Sequence, residues 1–461
     1  MPTQLSKFSI NSTCHEVIHP WTNSCISATA GLGLHSIQEC LKIYSTVYFV
    51  TLLMKGKKPS KDDIKKTISG ILQSTAFLSW SAFTLSFSIC CLRRILGNFN
   101  ILSVSYIPSF FSCLSAIIIE RPSRRPLLCL YVSNIATETL FKMGVWRGYW
   151  KPIKFGNVYI FATSMAMLLY YYRCEEIKKD SIFRIIKFIA SPYEDPTHND
   201  HKNISINNSN KHTDAKKKII YKNKKSLSII WKSLKVYQYI ITWIKSLTRH
   251  STCPHPHSCI HFIIEGTSKL FGIGLGVQLS MKIIFQLQKL IKQPKLIKTI
   301  LFKKNNFNLA LFLGGFTGFY RLMTCLLRRT FDKDSKYHAI PSGLVAGAAF
   351  AMFPNNTVAL YVMWKSLQLY WNRGVEKGYL PEYKWFVIVL YSLSTAVLLH
   401  AAIVEPQNLR SSYWKFLYNL SGGRIASMSR VPLDEFGLSS SKCLQDVLKA
   451  TNTTDIKKYS F

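Results

Sequence analysis

Negative charge is what this sequence has least of: 23 Asp+Glu stand against 59 Lys+Arg in 461 residues, a formal net charge of +36. A surplus of that size ordinarily points to nucleic acid. Its distribution excludes that reading, because long stretches carry no charge at all. "ILQSTAFLSWSAFTLSFSICCL" (71–92), "ILSVSYIPSFFSCLSAIII" (101–119) and "FGNVYIFATSMAMLLYYY" (155–172) are uncharged throughout. Apolar runs of about 18 residues or more are long enough to cross a hydrocarbon core ~30 Å thick. Basic residues cluster just beyond them, at Lys55 to Lys58, Arg93-Arg94, Arg121 to Arg125 and Lys151 to Lys154. The chain reads as a polytopic membrane protein, with the lipid bilayer as its surroundings and no nucleic acid among its partners.

Enzyme signatures are missing too. There is no Walker loop, no Gly-x-Ser-x-Gly elbow and no His-Glu-x-x-His, so no catalytic residues are assigned. The opening "MPTQLSKFSINSTCHEV" has neither the apolar core of a signal peptide nor the Arg-rich pattern of a transit peptide, so internal segments are expected to direct insertion. Nor is the closing Tyr-Ser-Phe a peroxisomal address of the Ser-Lys-Leu type. A disulfide framework is not expected either, because Cys90, Cys91, Cys113, Cys129 and Cys325 fall inside apolar helices.

What is present is an internal echo. "FKMGVWRGYW" (141–150) returns as "WNRGVEKGYL" (371–380), placing Gly144 and Gly374, Gly148 and Gly378, and Tyr149 and Tyr379 each 230 positions apart. The same offset pairs Leu130-Tyr131-Val132 with Leu360-Tyr361-Val362, and Ser164, Ala166, Leu168 and Leu169 with Ser394, Ala396, Leu398 and Leu399. The expected fold is all-α with two duplicated helical repeats, at 26–175 and 260–405. Around them lie an N-terminal Cys/His segment (1–25), a basic disordered linker (176–226), an amphipathic helix with a second Cys/His segment (227–259) and a tail (406–461). Gly144 and Gly374 are expected to stop the fourth helix of each repeat. Gly314, Gly318, Gly343, Gly347 and Ala351 form narrow faces that suit close helix packing, within the fold or across a homodimer. The first helix of each repeat is polar enough to lie at the membrane interface, leaving four spanning helices per repeat and both Cys/His segments on one side.

Three stretches resemble the transmembrane protein 135 family of multi-pass mitochondrial and peroxisomal membrane proteins: "CHEVIHPWTNSC" (14–25), "ATETLFKMGVWRG" (136–148) and "LRSSYWKFLYNLSGGRIASMSRVPLDEFG" (409–437). The helix pattern is also similar, more weakly, to the mitochondrial inner-membrane translocase channel family. The first resemblance implies a non-enzymatic protein that promotes mitochondrial fission with the dynamin-related fission GTPase, organises peroxisomes and handles lipids or sterols. The alternative is a lipid or solute conduit between the two repeats.

Two Cys/His clusters carry the only chemistry of note. Cys14, His15, His19 and Cys25 precede the first repeat; Cys253, His255, His257, Cys259 and His261 precede the second. Thiolate and imidazole suit zinc, and the set Cys14, His19, Cys25, Cys253, His257 and Cys259 is the candidate. A redox-active or acylated cysteine, or plain local packing, fits the same residues, and no other cofactor is expected. Among helical charges, Glu138 has Lys142 one turn on, whereas Arg321 and Lys365 call for structural partners or a substrate.

Overall fold

The structure, a computed structural model, describes residues 6–54, 56, 59–174, 182–194, 227–286, 291, 293 and 306–455. Of the linker expected at 176–226, residues 176–181 and 195–226 lie outside the described residues, and Ile182–Ala190 form a helix.

Sixteen α-helices occur among the described residues. In chain order they begin with α1 (Cys14–Val17), α2 (Cys25–Met54), α3 (Lys61–Leu96), α4 (Tyr106–Ile119), α5 (Arg125–Trp146) and α6 (Gly156–Tyr172). Next come α7 (Ile182–Ala190), α8 (Leu227–Ser246), α9 (Cys259–Phe285), α10 (Asn308–Phe331) and α11 (Ala339–Gly347). The last are α12 (Asn356–Glu376), α13 (Phe386–Val404), α14 (Ser411–Leu420), α15 (Arg424–Ser427) and α16 (Ser440–Thr451). The strands among the described residues are an antiparallel pair of two residues each, Ser9–Ile10 with Phe99–Asn100. The chain is an all-α membrane protein.

Local sequence sets the helix ends. Ser60 and Asp63 form a reciprocal capping box at the start of α3, and Gly97, at φ 72°, closes the helix after Arg93 and Arg94. The repeated phrase closes α5 and α12 in a similar way, one turn later than the sequence suggests. Gly144 and Gly374 are still helical; the left-handed residues are Gly148 (φ 79°) and Gly378 (φ 75°). Tyr149 N donates to Gly144 O at 2.9 Å and Gly148 N to Val145 O at 3.1 Å, the hydrogen-bond pair of a Schellman cap. Tyr379 and Gly378 repeat it onto Gly374 and Val375. Gly144 and Gly374 are small for another reason, since a Cβ there would run into Trp150 and Leu380.

The chain divides into two compact units: Met1–Ile153 with Tyr370–Phe461, and Lys154–Leu369. They are not the contiguous halves expected from the offset. In the first unit α13 packs on α4 and α5, completing a set that begins with α2 and α3. In the second, α6 packs on α11, beside the hairpin of α9 and α10. Each unit thus incorporates the helix that follows the Gly-Tyr corner of the opposite half of the sequence.

Small residues decide the second of these contacts. A Cβ on Gly343 would meet Ala166 Cα at 2.6 Å, and one on Gly347 would overlap Ala162. Both glycines therefore sit at a helix crossing inside the second unit. The expected ridge stops at Gly347, because the backbone tightens to a 3₁₀ turn over Ala348–Met352 and Ala351 is exposed. Gly347→Leu is expected to destabilise the protein by ~1–3 kcal/mol through overpacking, seen as a lower melting temperature in detergent. Unchanged melting would mean this face meets lipid instead.

Four helical segments among the described residues are long and apolar enough to cross a membrane: Lys61–Leu96, Cys259–Ile284, Asn308–Phe331 and Phe386–Val404. The second of these belongs to α9, a first helix that the sequence reading places at the interface. Its Gln278 and Lys282 are accommodated by protein partners: Gln278 Oε1 accepts from Leu309 N at 3.0 Å, and Lys282 Nζ donates to Asn306. The uncharged run 101–119 yields only the 14-residue α4, since residues 101–105 form turns. A helix of that length spans ~21 Å, short of the hydrocarbon core.

Two segments expected to be peripheral are built into cores. Phe183, Ile186 and Ala190 of α7 are buried with Phe312 and Tyr320. The tail contributes Trp414, Leu417, Leu444 and Leu448 to the main cluster of the first unit, with Trp414 fully buried. By contrast, α8 leaves Val236, Tyr239, Ile240 and Trp243 exposed.

Candidate metal centres and an adjoining cavity

The N-terminal segment is held in place before any metal is considered. Thr13 caps α1 through a capping box, its hydroxyl accepting from Glu16 N and its own N–H donating to Glu16 at 2.8 Å. Ser429 N donates to Val17 O at 3.0 Å, and Arg93 Nε donates to Ser12 O at 2.6 Å. These contacts bring Cys14 and His19 to the first residue of α2, Cys25, and to the last turns of α3. There the chain supplies one more thiol, Cys90.

Cys14, His19, Cys25 and Cys90 form a group whose ligand atoms all lie within 4.8 Å of one another. His19 is 1% exposed; its Nδ1 pairs with Thr22 O at 2.8 Å, and its Nε2 is buried with no hydrogen-bond partner among the described residues. A ring held in this way presents one nitrogen inward. The Cys90 thiol and the His19 ring, outweighing burial, hold the Cys14 thiol down to about 5. Burial works to lower His19, but the Cys14 thiol and the Thr22 carbonyl push it up to about 9.

The second unit builds the same set. Cys253, His255, Cys259 and Cys325 also lie within 4.8 Å of one another. Cys259 Sγ is 3.8 Å from Cys253 Sγ, and Cys325 Sγ is 3.6 Å from His255 Nε2. His255 Nδ1 pairs with His257 O at 2.6 Å, and the imidazole stacks on Phe262 with centroids 4.5 Å apart. Arg321 lies over the same Phe262 ring at 4.2 Å and donates to Phe262 O at 2.7 Å. Arg249 donates to Cys253 O through both Nε and Nη2. The Cys325 thiol and the His255 ring, outweighing burial, hold the Cys253 thiol down to about 4.

Five of the six residues singled out in the sequence, Cys14, His19, Cys25, Cys253 and Cys259, enter these groups. His257 does not: its carbonyl orients His255, and its ring packs edge-on against His261 at 5.2 Å. The matching phrases "HPWTNSCI" and "HPHSCI" already align His19 with His255 through the following proline. Cys90 and Cys325 sit in apolar helices, where a thiol has the look of ordinary core packing. Their signal was the shared Cys-x-x-Arg-Arg spacing, Cys90 before Arg93-Arg94 and Cys325 before Arg328-Arg329. Each group is complete within its own unit.

The other charges have structural partners. Glu138 pairs with Lys142 at 2.8 Å and with Arg410; Lys365 donates to Gln368 at 3.0 Å. No substrate is needed to explain them.

Next to the first group lies a cavity of about 250 Å³ in the first unit. Leu32, Phe77, Val132, Leu399 and Ile425 give it an apolar wall, with His19 and Arg424 among its polar residues. An apolar cavity of ~150 Å³ is already enough to take a benzene ring; this one has room for a larger apolar group.

These features define a multi-pass α-helical membrane protein with a cysteine-rich N-terminal region. Residues 11–145 match the family model described as the N-terminal cysteine-rich region of Transmembrane protein 135, a span that includes all four side chains of the first group. Over that region the chain is similar to the transmembrane protein 135 family. No solved structure matches it.

Proposed function

We propose that the chain is a non-enzymatic membrane protein of mitochondria and peroxisomes that promotes mitochondrial fission, organises peroxisomes and handles lipid or sterol, with an apolar ligand seated in the cavity of the first unit. The observation that carries the lipid part is that cavity, walled by Leu32, Phe77, Val132, Leu399 and Ile425. Binding sites for such ligands are concave and mostly apolar, with a few polar groups to orient the ligand. Arg424 is suitably placed for a polar head. The similarity of residues 11–145 to the transmembrane protein 135 family supports the remainder, including work alongside the dynamin-related fission GTPase. A conduit between the repeats is the competing reading.

The test is capture of photoactivatable sterol and fatty-acid probes by the purified full chain in detergent. Labelling of peptides bordering the cavity, competed by unlabelled ligand and reduced at least about tenfold by Leu32→Trp, is expected, with the variant's melting curve confirming that it is folded; a tenfold loss corresponds to about 1.4 kcal/mol. Undiminished labelling in a folded Leu32→Trp protein would refute the cavity as the site. For the fission part, co-reconstitution in liposomes should raise GTP turnover by the fission GTPase.

A further inference from the structure

We propose that each unit holds one structural Zn²⁺, bound by Cys14, His19, Cys25 and Cys90 in the first and by Cys253, His255, Cys259 and Cys325 in the second. Zinc takes four ligands in a tetrahedron, with Zn–S about 2.3 Å and Zn–N about 2.0–2.1 Å. Those bond lengths place two sulfurs roughly 3.8 Å apart, and a sulfur and a nitrogen roughly 3.6 Å apart. The second group already has these edges, at 3.8 Å for Cys253–Cys259 and 3.6 Å for Cys325–His255.

The surroundings agree with the spacing. Each histidine engages a backbone carbonyl through Nδ1, which leaves Nε2 to face the thiols, the usual outer support of a metal-bound imidazole. In the first group that inward nitrogen is otherwise unsatisfied and buried. Disulfides do not account for the arrangement: a bond needs sulfurs about 2.05 Å apart, and each group holds an odd number of thiols plus an imidazole. Soft sulfur donors without any carboxylate select against magnesium and calcium.

Four protein ligands close the shell and leave no position for water or substrate, so the ions are structural rather than catalytic. Each joins three separate pieces of chain: the segment before a helix, the first residue of that helix, and the end of the next long helix. Zinc binding releases the thiol protons and any proton on the histidine, leaving a centre of net charge −1 with three thiolates and a neutral imidazole. In the second unit Arg249 and Arg321 lie beside that charge.

The test is metal analysis of the full chain, purified in detergent with neither a polyhistidine tag nor chelator. Two zinc ions per chain are expected, one for each group. Cys90→Ser and Cys325→Ser should each lower the count to one and together to none, while Cys91→Ser, one residue from a ligand, should leave both. Should the ligand variants fail to fold, Co²⁺ exchange into the unaltered chain keeps the question open to decision: thiolate-to-cobalt charge transfer with tetrahedral d–d bands is expected. Monodisperse unaltered protein with no metal above background, or with iron or copper in place of zinc, would overturn the assignment.

Discussion

Arg328→Ala is expected to destabilise the second unit by about 3–5 kcal/mol, the usual result of leaving a buried charge without its partner. Arg328 is fully buried and grips Glu194 with two bonds, Nη1 to Oε1 at 2.8 Å and Nη2 to Oε2 at 2.7 Å. Its Nε also donates to Asp334 at 3.0 Å, and Arg173 joins the same pair of carboxylates. Glu194 is itself buried, so removing the guanidinium leaves a desolvated carboxylate with one weaker partner, Arg173 at 3.8 Å. Substituting both Arg328 and Glu194 by apolar residues should cost much less, because the penalty lies in the unpaired charge rather than in the lost attraction.

The pH dependence follows from the same contacts. Burial works to raise the Glu194 carboxyl, and the Arg328 guanidinium outweighs it, holding the group below the usual carboxylate range. Asp334 is likewise held low, by Arg173 and Arg328 against burial. A depressed folded-state pKa contributes stability that is fully present above the unfolded value, near 4 for these side chains, and is lost as pH falls through the folded value. The unaltered protein should therefore lose stability on acidification below about pH 4, and the gap between it and Arg328→Ala should narrow. Melting in detergent from pH 7 to pH 3 measures both. A constant gap would show that the pair is not linked to folding.

Trp414→Ala is the second large effect, about 3–5 kcal/mol from a fully buried indole. Trp414 lies in the main cluster of the first unit with Tyr413, Leu417 and Leu448, and its Nε1 donates to Thr453 at 3.3 Å. A loss of that size, with the whole first unit melting earlier, would identify residues 409–455 as part of the fold. If the variant melts like the unaltered chain and loses only a partner, the segment is the peripheral tail that the sequence suggested.

Trp414 also shows why some of the fold was legible and some was not. Helices announce themselves locally, through the uncharged run 71–92, the Ser60–Asp63 cap and the recurring Gly-x-x-x-Gly-Tyr corner. Membership of a core does not. "LRSSYWKFLYNL" has the same polar-apolar mixture whether it is a surface helix or a wedge against α2. The crossing of α6 and α13 into opposite units was hidden for the same reason: an offset of 230 reveals likeness between segments, not which copy a helix packs against. Glycine roles were readable to within one turn. The phrase pointed to a corner, but only the hydrogen bonds assign the left-handed position to Gly148 and Gly378 rather than to Gly144 and Gly374.

The candidate site divides in a similar way. Its ligands before α2 and α9 were legible because cysteine and histidine cluster along the chain. Cys90 and Cys325 were not, because a lone thiol in an apolar helix has the sequence signature of ordinary core packing. His255 and His257 differ by two positions in "HPHSC", and the choice between them rests on which ring nitrogen the backbone turns inward.

X-ray absorption at the zinc edge of the purified full chain is the most direct measurement of the two Cys₃His centres. The expected first shell is three sulfurs near about 2.3 Å and one nitrogen near about 2.0 Å per zinc, with both ions alike. A shell made only of nitrogen and oxygen, or no zinc edge from monodisperse protein, would contradict it.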